Sequence, residues 1–177
     1  EASGTNARIT APMIDFLDPG DPATIVAKLA DPAIRIVSLT ITEGGYYLDA
    51  AGAFNPTHPD IVADAARPET PSTVFGLILA GLKARRQAGV EPFTIMCCDN
   101  IPHNGKVTLN AVAGLADLFD REMADWVRRS VAFPNGMVDR ITPATSDRER
   151  TIVSEEYGIA DAWPVFCETF RQWVLED

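Results

Sequence analysis

The sequence predicts an α/β domain: a mostly parallel sheet with flanking helices. Two short runs, residues 35–42 and 93–98, are β-branched and apolar almost throughout. Strands buried on both faces read this way, whereas a strand with one wet face alternates. Segments with helical periodicity lie between and after these runs. Strands that alternate with helices are joined by crossovers, and crossovers lay helices on the faces of a parallel sheet.

Taken in order, residues 9–16 are a weak strand candidate, because Pro12 cannot donate to a ladder. Residues 22–30 are a short apolar helix, with Asp21 as N-cap and Pro22 at the first position. After the strand at 35–42 comes a long stretch, 46–70, rich in Pro, Asp, Ala and Asn. It reads as a loop with a short helix near 59–66, and a loop that long in a compact domain is often functional. Residues 72–89 are the clearest helix. Ser72 caps it, Phe75, Ile78, Leu79 and Leu82 form its apolar face, Lys83, Arg85 and Arg86 fill its last turns, and Gly89 stops it. The strand at 93–98 ends at Asp99-Asn100. Residues 104–130 form a long helical stretch broken near Asp120, with Val107, Ala111, Leu115, Leu118 and Phe119 inward. A third strand is predicted at 130–133. A closing helix is predicted over 163–175, burying Phe166, Phe170, Trp173 and Val174.

A chain of 177 residues, 46% hydrophobic and 23% charged, suits one soluble domain with a sizeable core. Its net charge of −10 repels phosphate backbones, so nucleic acid is excluded as a partner. The longest apolar stretch, residues 74–82, is about half of what a membrane-spanning helix needs. The opening Glu1-Ala2-Ser3-Gly4 has no basic region followed by an apolar one, so no signal peptide is expected. Cys97 and Cys98 would point to opposite faces of a strand and cannot pair with each other. No cysteine or histidine spacing suggests a metal. With Cys167 they are expected to be unpaired, buried, small apolar residues in a reducing cytoplasm.

In an open α/β sheet, ligands bind outside the carboxyl ends of the strands. Three such ends carry candidate chemistry: Thr42-Glu43-Gly44-Gly45-Tyr46, Cys98-Asp99-Asn100, and residues 133–140 with Val138, Asp139 and Arg140. Gly44-Gly45 allows either a sharp turn or a close approach to a ligand. Glu43 is either a hydrogen-bond acceptor for a hydroxyl-rich ligand or a solvated carboxylate. Asn100 either steadies a developing alkoxide with its amide or caps the helix beginning near residue 104. His103 invites an acid–base role, but a lone histidine in a polar turn is more often structural. The apolar flanks of Asp139-Arg140 suggest a partly buried pair, catalytic or structural.

These strand ends resemble a known family. Phe133-Pro-Asn-Gly-Met-Val-Asp-Arg-Ile-Thr-Pro143 is similar to the signature of the mannitol dehydrogenase family, the long-chain polyol dehydrogenases and hexuronate reductases. Thr42-Glu-Gly-Gly-Tyr46, Pro71-Ser-Thr-Val-Phe-Gly76, Cys98-Asp-Asn-Ile-Pro-His-Asn-Gly105 and Gln172-Trp-Val-Leu-Glu-Asp177 resemble further blocks in the same order. The resemblance covers nearly the whole chain. It implies a Rossmann-type fold and metal-free hydride transfer between NAD and the C2 hydroxyl of a polyol such as mannitol. It implies that Asn100 steadies the reacting oxygen beside a lysine base, that Glu43, Gly44, Asn100 and Val138 contact the cofactor, and that Asp139 lines the substrate site. Reduction of a keto-hexuronate such as fructuronate is the close alternative. A non-catalytic nucleotide-binding module is the alternative from another class.

The departures from the family pattern are as informative. The chain holds no G-x-G-x-x-G or equivalent pyrophosphate loop and no Lys-x-x-x-x-Asn-x-x-His block. Lys28, Lys83 and Lys106 stand in other contexts, so none inherits the base role. The chain is therefore expected to be an interior piece. Residues 1–162 would be part of an NAD-binding domain, incomplete at its N-terminal side. Residues 163–177 would lead into a helical substrate domain that this chain lacks. Such a piece would expose an apolar strand edge, inviting self-association.

Overall fold

A computed structural model describes residues 6–177, so the opening Glu1-Ala2-Ser3-Gly4 lies outside the described residues. The chain forms two units: Leu17–Val138 with Trp173–Asp177, and Asp139–Gln172 with the described residues up to Phe16.

The first unit begins with helix α1 (Pro22–Ala30), where Asp21 accepts from the Thr24 amide at 3.1 Å and Pro22 needs no amide partner. Strand β1 (Ile36–Leu39) pairs in parallel with β2 (Thr94–Cys97), Ile36 opposite Thr94 and Leu39 opposite Cys97. Between them run a 3₁₀ turn (Glu43–Tyr46), helix α2 (Pro59–Ala66) and helix α3 (Val74–Ala88). After β2 come α4 (Asn104–Asp117) and α5 (Arg121–Ser130). Asp120 separates these two helices and caps the second by accepting from the Met123 amide at 2.9 Å. The Ile95 amide, on the edge of β2 away from β1, donates to the Ala132 carbonyl at 3.0 Å. Residues 131–133 thus run beside β2, but the strand expected at 130–133 does not form: Ser130 still belongs to α5 and the next strand begins only at Gly136.

The core forms where these helices meet the sheet. Phe75, Ile78 and Leu82 of α3, Phe93 just before β2 and Ile95 within it, Val112 and Leu115 of α4, and Val127 of α5 are all buried. Each such side chain contributes about 1.5–3 kcal/mol of burial. Two buried polar groups join the elements. Arg85 of α3 donates through Nε to the Leu29 carbonyl and through Nη1 to the Glu91 carbonyl, both at 2.7 Å, and through Nη2 to the Asp31 carbonyl. Its guanidinium also lies over the Phe93 ring, 4.9 Å from the centroid. Asp64 of α2 accepts from the amides and hydroxyls of Ser72 and Thr73, at 2.6–2.9 Å. Burial would raise the Asp64 carboxyl, but these bonds overcome it and hold the group below its ordinary value.

Four further expectations are corrected. Thr73, not Ser72, caps α3; Ser72 is drawn onto Asp64 instead. Leu118 is exposed rather than inward. Residues 9–16 form no strand, and Pro12 among them has no amide to pair. No helix forms over 163–175. Gln172–Leu175 is strand β4, sheet partner of β3 (Gly136–Asp139), and Phe170, Trp173 and Val174 are exposed. Aromatic and β-branched residues fit a strand as well as a helix, and a partner some forty residues upstream leaves no mark on local periodicity.

In the second unit, helix α6 (Asp147–Tyr157) opens on a capping box in which Ser146 and Glu149 bond reciprocally. No residue of α6 is buried, so the apolar stripe that reveals most helices is missing. The Arg150 guanidinium lies 5.4 Å from the centre of the Trp163 ring. Among the described residues, no helix is long and apolar enough to cross a membrane.

Candidate functional site

The carboxyl ends of β1 and β2 lie side by side, with the Cys98 amide bonded to the Leu39 carbonyl at 2.8 Å. Each strand then enters a loop. Asp99 ties the two loops together: Oδ2 accepts from the Ile41 amide at 2.9 Å and the Tyr46 hydroxyl at 2.7 Å, and Oδ1 from the Thr42 amide at 3.2 Å. Tyr46 is fully buried, and its oxygen is 2.8 Å from Cys97 Sγ. The single hydroxyl proton goes to the carboxylate, so the Cys97 thiol is the donor to the phenol oxygen. Burial, then the bonds to Cys97 and Asp99, push the Tyr46 phenol far above its ordinary value, so it stays neutral.

Around this anchor the backbone is strained. Thr42 has φ 60° and ψ 168°, and Tyr47 and His103 are left-handed at φ 53° and 54°. Side chains rarely adopt positive φ, and such residues gather at functional sites. Gly45 has a steric reason to be glycine, since a Cβ there would come within 2.8 Å of Ile41 Cγ1. A Cβ on Gly44 would meet nothing within 4 Å, so this glycine leaves an open surface.

Glu43, Gly44 and Asn100 all stand exposed at these ends. The Asn100 side chain makes no hydrogen bond among the described residues, and it does not cap α4. The N-cap position belongs to His103, which is exposed and makes no side-chain cap bond. The capping alternative for Asn100 therefore falls away, and its amide is open to solvent.

A second buried clamp adds the strand that carries Val138. The Asn104 side chain, at the start of α4, donates to the Gly136 carbonyl at 2.8 Å and the Asp99 carbonyl at 3.3 Å, and accepts from the Gly136 amide at 2.8 Å. Asn135 Oδ1 accepts from the Gly105 amide at 3.0 Å. Gly105 must be glycine, because a Cβ would lie 2.7 Å from the carbonyl carbon and oxygen of Pro134. Val138, two residues beyond Gly136, is half-buried on β3. Glu43, Gly44, Asn100 and Val138 are thus carried on segments joined by Asp99 and Asn104. Those two residues, with Tyr46 and Asn135, are the part that reading the sequence missed. The signal was available as polar residues inside the recognised blocks.

Asp139 opens the other unit. It and Arg140 are exposed and form no ion pair among the described residues, contrary to the expected partly buried pair. Arg140 Nε donates instead to the Glu168 carbonyl at 3.0 Å. Lys28 pairs with Asp31 and Lys83 with Glu69. All three cysteines are free, but only Cys97 is buried; Cys98 is half-buried and Cys167 exposed. Burial pushes the Cys98 thiol up, away from the reactive range. Among the described residues, no cluster of three or more His, Cys, Asp or Glu is gathered as a metal site.

The family model of the mannitol dehydrogenase Rossmann domain matches residues 1–177. The chain belongs to the mannitol dehydrogenase family. Its fold is the α/β, Rossmann-type domain of that family, a parallel sheet flanked by helices. A mannitol 2-dehydrogenase of Cereibacter sphaeroides is 61% identical over all of this chain and 37% of its own length. A polyol:NADP oxidoreductase of Gluconobacter oxydans is 46% identical over 98% of this chain and 36% of its own. Among solved structures, the Pseudomonas fluorescens mannitol 2-dehydrogenase in ternary complex with NAD and D-mannitol superposes with a TM-score of 0.85. It is 54% identical, covering 89% of this chain and 32% of that one. The chain therefore spans about a third of the length of the family members it matches.

Proposed function

We propose that the whole protein is an NAD-dependent oxidoreductase that transfers a hydride between NAD and the C2 hydroxyl of a polyol such as mannitol. The observation that carries the reading is the open Asn100 amide at the carboxyl end of β2, beside the Glu43-Gly44 turn at the end of β1. In a Rossmann-type sheet this is where a dinucleotide is expected. The local chemistry fits one: Gly44 leaves room for a close approach, and Glu43 offers a solvent-facing acceptor for a hydroxyl. Support also comes from the relatives' names and from the neighbour's bound NAD and mannitol.

In this reading Glu43, Gly44, Asn100 and Val138 hold the cofactor, which supplies a hydride acceptor when bound. Asn100 donates its amide to the substrate oxygen and steadies it as negative charge develops. Asp139 accepts from a substrate hydroxyl. The proton acceptor is assigned to no residue of this chain, and no step is given to a metal. Residues 1–162 are read as part of the cofactor-binding domain, with 163–177 leading towards a substrate domain. The three free thiols suit a reducing compartment such as the cytoplasm. The exposed Trp173, Val174 and Leu175 of β4 support self-association of this chain when it stands alone.

The test is formation of reduced cofactor by the whole protein with mannitol, arabinitol, sorbitol or mannonate, run with NAD and with NADP because one relative is named for the latter. Oxidation of mannitol with NAD is expected. Turnover of mannonate alone would replace the polyol by a sugar acid, with a keto-hexuronate as its oxidised form. No turnover with any of them would overturn the enzyme reading.

A further inference from the structure

We infer that Asp99 is a positioning residue for the cofactor site, anchoring the strained Thr42-Glu43-Gly44 turn to the loop that carries Asn100. The inference rests on the proposed dehydrogenase reading and extends it to a residue that meets neither cofactor nor substrate. One carboxylate accepts three hydrogen bonds across the two strand ends, from the Ile41 amide, the Thr42 amide and the Tyr46 hydroxyl. All three donors come from the β1 loop, while Asp99 precedes Asn100 on the β2 loop. The bond to the Thr42 amide falls at the residue whose φ is 60°, a conformation that threonine does not hold unaided. Behind the carboxylate, the Tyr46 hydroxyl reaches it from a fully buried ring. Asn104 Nδ2 fixes the Asp99 carbonyl at 3.3 Å. Asp99 is thus held through both its side chain and its backbone, and Glu43 and Gly44 follow directly from the amide its carboxylate grips.

Charge and geometry make aspartate specific here. Asparagine could keep one oxygen for the Ile41 amide and the Tyr46 hydroxyl. Its NH2 would then face the Thr42 amide, donor against donor. Asp99→Asn therefore releases the turn at Thr42 while leaving the core packing in place.

The experiment is steady-state kinetics of the whole protein with mannitol and NAD. Asp99→Asn is expected to raise KM for NAD about tenfold, the scale of one hydrogen bond to a charged group, with kcat changed less than about threefold. A merely structural role would reduce the fraction of folded enzyme, lowering kcat at unchanged KM. That result, or unchanged kinetics, would overturn the inference. If Asp99→Asn does not fold, Tyr46→Phe keeps the buried ring and removes one of the three bonds. Its KM for NAD should then rise about threefold, and an unchanged KM overturns the inference. Failure of the dehydrogenase reading looks different, because the unmodified protein would then show no turnover in the same assay.

Discussion

Asp64 shows how one side chain can hold a junction together. Four donors from Ser72 and Thr73 converge on a carboxylate that is only 3% exposed. Asp64→Asn keeps the shape but turns one acceptor into a donor facing donors, and should lower unfolding stability by about 2 kcal/mol or more. The loss should depend on pH. The folded carboxyl lies below its ordinary value, so the unfolded chain takes up the proton first as pH falls. Its stabilising contribution is complete above the ordinary carboxylate pKa of about 3.9, and disappears as pH falls through the lower folded value. Urea unfolding from neutral pH down to about pH 3 should show the native protein and Asp64→Asn converging. A gap that stays constant would contradict this account. Thr73 and Asp64 also mark the limit of reading residues singly. Local rules rank Ser72 slightly ahead of Thr73 as a cap, and it is the carboxylate on another helix that draws Ser72 away.

At the scale of elements, the helices with strong local signals formed where the sequence places them. Asp21-Pro22 starts α1, Gly89 at φ 68° ends α3, and Asp120 divides α4 from α5. The closing segment failed for the opposite reason. Its fate depends on a distant partner, β3, and its apolar residues satisfy either period. Helix α6 was overlooked because it has no buried face, although Ser146-x-x-Glu149 announces its start. Arg85 links three of these elements by serving carbonyls at the end of α1 and in the loops before β1 and β2. Arg85→Met would fill much of the volume but strand several part-buried carbonyls. It should cost about 3 kcal/mol or more of stability, visible as a lower urea midpoint at unchanged slope. A loss below about 1 kcal/mol would show that water reaches those carbonyls instead.

For the whole molecule, much of the candidate site was legible because its exposed residues sit in ordered blocks at strand ends. Glu43, Gly44, Asn100 and Val138 were named from those blocks. The anchors beneath them were not, because a buried hydrogen-bond network arises only when the blocks meet in space. The exposed apolar residues of β4 make a prediction at this scale. Sedimentation of the 177-residue chain should show association that rises with concentration, and a single monomeric species throughout would contradict it. In the proposed reaction, Asn100 steadies the reacting oxygen of a polyol during hydride transfer. The most direct test is kcat for mannitol and NAD in the whole protein carrying Asn100→Ala. A fall of about 10²-fold or more, the usual scale for one oxyanion donor, is predicted. An unchanged kcat would remove Asn100 from the chemistry.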